Sequence, residues 1–183
     1  MKLKLLALVL ALQCAWLLAT TFTQERALRA GQLIMLETRP VDPRDLLRGD
    51  YVILSYKISD VPLSAFTPAR NNPPTAGMTI YVALAPVGTN GFYEIMRAST
   101  EPLGPVAGQV LVQGKVRPWW GGNSSVRVEY GLERYYVSEG TGNPQGKLTV
   151  QAAVSKSGRA TIKEVFVDGK PYAEAMKQAN DGR

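Results

Sequence analysis

From Leu3 to Phe22 the chain is almost wholly apolar, broken only by Lys4, Gln13, Cys14, Thr20 and Thr21. No other stretch limits the fold so strongly. Twenty helical residues rise about 30 Å, the hydrocarbon thickness of a bilayer. Lys2 and Lys4 lead the run, and the positive-inside rule then puts the N-terminus in the cytoplasm and the rest of the chain outside. The run exceeds the roughly 7–15 residues of a signal-peptide core, and small-residue cleavage signals are poor at Ala19-Thr20-Thr21 and at Thr21-Phe22-Thr23. A retained anchor is the expectation, with a cleaved signal peptide as its alternative. Gln13 before Cys14 is too large for a lipidation site. Residues 24–32, with Arg26, Leu28 and Arg29, extend the helix until Gly31 ends it. The chain thus divides into an anchoring segment, 1–30, and a domain, 31–183.

The domain is long enough to bury its own core without staples. The chain has no histidine and one cysteine, Cys14, inside the apolar run. An intrachain disulfide is impossible, and Cys/His metal sites, Ser-His-Asp catalysis and Cys-His catalysis are excluded. The formal net charge is +6. From Gly31 onward 17 basic and 14 acidic residues leave +3, and the cations are scattered singly. That is not the clustered footprint of a nucleic-acid binder.

The densest local code is Arg39 to Ile58, RPVDPRDLLRGDYVILSYKI. Asp42-Pro43 offers a helix cap followed by a residue with φ already set, and Asp45 stands where a capping-box acid would. Gly49 stops that turn. Tyr51 to Ile58 then alternates, with Val52, Leu54, Tyr56 and Ile58 on one face. A capped turn, a glycine corner and a strand entering a core are expected. Further strands are predicted at 33–38, 78–87, 92–99, 109–117, 125–130, 147–154 and 160–167. Residues 60–77 hold four of the twelve prolines and read as a long loop. Asn90-Gly91 signals a hairpin. The tail from Pro171 reads as polar, helix-prone and frayed. Many short strands, seventeen glycines and no long amphipathic helix after Gly31 predict an all-β fold, an antiparallel sandwich or barrel with a minor short helix.

Gly49-Asp50-Tyr51, two residues, Leu54, one residue, Tyr56 resembles the motif that names the GDYXXLXY family of bacterial membrane-anchored proteins. Pro40, Asp42-Pro43-Arg44 and Arg48 fit it. So does a second block, Tyr130-Gly131-Leu132-Glu133-Arg134-Tyr135-Tyr136-Val137-Ser138-Glu139-Gly140, with Ser138 departing from the proline of many relatives. The resemblance implies anchoring, location and fold type, and no established reaction. Relatives are often encoded beside multi-spanning membrane proteins, which implies a partner of that kind.

The candidate site residues are those of the two blocks: Arg48, Gly49, Asp50, Tyr51, Leu54, Tyr56, Gly131, Glu133, Tyr136 and Glu139. Asp50 beside Gly49 reads first as turn chemistry, its carboxylate taking backbone N–H groups or pairing Arg44 or Arg48. Asp50, Glu133 and Glu139 are also the acids a glycoside hydrolase would need. Glu133 with Arg134 reads first as a tie between loop and sheet, since acids without a substrate cleft are not a site. Trp119-Trp120 cannot both face one side of a strand, so one is expected in the core and the other at a partner or membrane contact. The two blocks are expected to meet. The reading is a non-enzymatic accessory or binding module of the cell envelope, without metal or cofactor. It touches lipid through its helix and partners a larger membrane protein. The alternatives are a cell-wall or carbohydrate-directed hydrolase and a purely structural envelope protein.

Overall fold

The computed structural model describes residues 2–39, 51–69, 72–118, 124–137 and 146–181. Helix α1, Lys2–Ala30, is continuous. Its Lys4–Phe22 part is long and apolar enough to cross a membrane, and none of it is buried against the rest of the chain. Gly31 alone separates α1 from strand β1, Gln32–Glu37.

The domain is mainly β. After β1 come β2 (Tyr51–Ile53), a 3-10 turn (Lys57–Ser59), β3 (Asp60–Pro62), a second 3-10 turn (Leu63–Ala65), β4 (Thr79–Val87) and β5 (Phe92–Ser99). Then follow β6 (Val110–Val116), β7 (Ser125–Glu129), β8 (Arg134–Tyr136), β9 (Leu148–Val154), β10 (Ala160–Val167), β11 (Lys170–Pro171) and helix α2 (Tyr172–Asp181). Nine strands form one sheet in the order β11-β10-β9-β1-β5-β4-β6-β7-β3, and β2 and β8 form a separate two-stranded ladder. One core cluster takes Ile34 and Leu36 from β1, Val61 from β3, Val128 from β7 and Val165 from β10. Both ends of the sheet therefore bend over the same core. The β9–β10 hairpin crosses to β6, where the Gln113 N–H donates to Gly158 O at 2.8 Å. Gly158 sits at φ +82°, with the space for a Cβ taken up by Gln113 and Leu111 O, so only glycine suits this crossing.

The all-β expectation holds, with corrections of detail. One strand pairing is parallel, β1 with β5 at Met35↔Phe92, and so is an isolated bridge, Phe66↔Ala98. The long chain between these strands supplies the crossover that parallel pairing needs. Tyr51 to Ile58 is not one strand. It leaves β8 after Ile53 and bridges to the end of β1 at Thr38↔Tyr56, and a strand that changes partners cannot keep a single ladder. Its face is as predicted, since Val52, Leu54, Tyr56 and Ile58 are all buried. The proline-rich loop contains β3, whose Pro62 pairs Ser125 on β7. A strand at the end of a sheet tolerates proline. The tail does not fray at once: α2 buries Tyr172 and Met176, four residues apart on one helical face. The Asn90-Gly91 hairpin joins β4 to β5 as expected.

Candidate functional site

The two motif blocks meet. In the β2–β8 ladder Tyr51 lies opposite Tyr136, Val52 opposite Tyr135 and Ile53 opposite Arg134. The Leu54 N–H donates to Glu133 O at 2.9 Å, extending the contact one step. On the inner side, buried Tyr56 donates its phenol to Leu132 O at 2.6 Å. Buried Tyr130 donates to Ile58 O at 2.8 Å. Each block thus sends one tyrosine into the other block's backbone. Burial, and then the charge of Glu133, push both phenols far above the ordinary tyrosine range, because neither can shed a proton into an apolar core.

Glu133 holds the second block's corner. Its Oε1 accepts the Tyr130 N–H at 2.7 Å, across a turn in which Gly131 adopts φ +81°. The bond closes the turn between β7 and β8 on itself. Leu54 is buried in the same core cluster as Val52 and Leu132, a packing role.

The outer side of the ladder differs. Tyr136 is 70% exposed. Its ring meets that of Tyr51 at 5.9 Å between centroids, tilted by 57°. The Arg134 guanidinium lies 5.5 Å from the Tyr51 ring centroid, within cation–π range. Tyr135, pointing the other way, meets Tyr172 of α2 edge-on at 5.5 Å.

Two ion-pair clusters that the sequence reading missed brace this unit against β1. Asp60, whose side chain is 15% exposed, pairs with Arg39 and, at 2.9 Å, with Arg127. Arg127 also donates to Ser55 Oγ at 2.8 Å. Glu37 pairs with Lys57 and Lys147. Hydrogen bonds from Lys147 and then Lys57 hold its carboxyl below the usual carboxylate range. No spacing rule joins these residues in sequence, since Arg127 and Asp60 stand 67 positions apart. The only local signal was Lys57 at the end of the first motif.

Arg48, Gly49, Asp50, Trp119, Trp120 and Glu139, with the capped turn at Asp42-Pro43 and Asp45, lie outside the described residues. Among the described residues no group of three or more acidic or cysteine side chains could hold a metal ion.

Fold and site together define a β-domain carried on one apolar helix, its centre built from two tyrosine-rich segments far apart in sequence. The family described as GDYXXLXY protein matches residues 13–165, and the chain belongs to that family. The comparisons with curated proteins and with solved structures gave no match.

Proposed function

We propose that this chain is a non-enzymatic binding module of the bacterial cell envelope. In this reading α1 is a retained anchor in the cytoplasmic membrane, with the N-terminus inside and the β-domain outside. The domain docks a larger, multi-spanning membrane protein. The observation that carries the reading is the outer face of the β2–β8 ladder. The inner tyrosines of the two blocks hold the fold, whereas Tyr51, Arg134 and Tyr136 spend their side chains on the surface. Exposed tyrosine and arginine in rigid contact are the residue types enriched where proteins bind one another. The acids argue the same way. Glu133 accepts a backbone N–H, and Asp60 and Glu37 each pair with two cations, so each of the three carboxylates is engaged inside the fold.

The test is a photo-crosslinking amino acid placed at Tyr136 in full-length protein in native membranes, with Thr161 on β10 as an exposed control. A discrete adduct with one integral membrane protein from position 136 and none from 161 is expected. Equal, diffuse labelling from both positions would remove the ladder face as a docking surface.

A further inference from the structure

The ladder offers a partner more than side chains. The Leu54 N–H to Glu133 O bond sets the phase of the pairing. Tyr51↔Tyr136 and Ile53↔Arg134 are then the close pairs that exchange no backbone hydrogen bonds. Their own N–H and C=O groups point away from the ladder. On the β8 side, the N–H and C=O groups of Arg134 and Tyr136 have no partner among the described residues.

An open edge is a template for another strand, and proteins usually blunt such edges with short strands, charged side chains, bulges or prolines. This protein does so elsewhere. Strand β10 pairs β9 on one side, meets β11 only at Phe166 and Val167, and carries a bulge between Ile162 and Glu164, at Lys163. β8 is short and carries Arg134, but it has no bulge or proline.

We propose that β8 receives an extended segment of the partner membrane protein as a third strand, an inference that rests on the binding-module reading above. Arg134 chooses the chemistry of that segment. Its guanidinium is exposed over the Tyr51 ring and has no carboxylate partner among the described residues. A strand laid along β8 places a side chain directly opposite Arg134, and an Asp or Glu there completes a cross-strand ion pair. Backbone bonds supply the affinity and that carboxylate the register, as in other cases of strand addition.

Proline separates backbone docking from side-chain docking. The Tyr136 N–H points outward, so Tyr136→Pro removes an edge donor and leaves the inner ladder bonds in place, whereas Tyr136→Ala removes only the ring. With the photoprobe at Tyr51 in native membranes, Tyr136→Ala sets the adduct yield that remains once the ring is gone. Tyr136→Pro should fall about tenfold below Tyr136→Ala, the effect of roughly one hydrogen bond. Arg134→Glu should lose at least as much. Amide exchange of the wild-type adduct guards against a proline variant that fails to fold: the peptide spanning residues 132–137 should exchange more slowly than in free protein. An adduct with unchanged exchange, or equal yields for the Ala and Pro variants, overturns strand addition and leaves the binding reading standing. No adduct from either Tyr51 or Tyr136 overturns both.

Discussion

At the scale of single residues, the tyrosines of the motif divide by direction. Tyr56 is buried and its phenol bonds Leu132 O at 2.6 Å. Tyr56→Phe leaves that carbonyl unpaired in the core and should cost about 1–3 kcal/mol in a urea melt. Tyr136→Phe, at the surface, should stay within about 0.5 kcal/mol of wild type. The carboxyl of Glu37 is held low by its two lysines. Its stabilising effect is therefore complete above the unfolded value of 4.5 and lost as pH falls through the lower folded value. Both lysines are more than half exposed, so solvent trims the effect to about 1 kcal/mol. Melts from about pH 7 to about pH 3 should show the wild type losing stability below that point and Glu37→Gln following a flatter curve. An identical slope for the two proteins would remove the pairing from the stability account.

At the scale of elements, periodicity was a good guide to faces and a poor one to partners. The alternation over Tyr51 to Ile58 assigned the four buried positions correctly, because the side-chain period survives even where the ladder does not. The switch from β8 to β1 at Leu54 was not legible, since both partners lie far away in sequence. The helical character of α2 was legible in the sequence, but its docking was not, for a related reason. Among the described residues, Tyr172, Ala175 and Met176 face the core, too few to rise above a polar tail until the sheet supplies the surface they cover. Met176→Ala should cost about 2 kcal/mol, the low end for a buried methionine at the rim of a core. A thermal melt checks this, and an unchanged Tm would mean that α2 contributes nothing to the fold.

At the scale of the whole molecule, the division into apolar helix and β-domain could be read from residue type alone. The meeting of the two blocks was suggested by their shared glycine corners and tyrosines, and the ladder register supplied what the sequence lacked. The proposal that the helix is a retained anchor makes a direct forecast. Carbonate-washed membranes should keep the full-length chain, and a soluble form beginning near Thr21 or Thr23 would point instead to cleavage. The junction carries a mechanical consequence. Helix α1 and strand β1 are separated by Gly31 alone, and β1 lies inside the sheet between β9 and β5. A linker of one residue has almost no slack. A tilt or rotation of the helix is either absorbed at that glycine hinge or delivered as torque to an interior strand, whose far end at Thr38 bridges to Tyr56 of the motif. The chain is built less like a bead on a string than like a key on its shank.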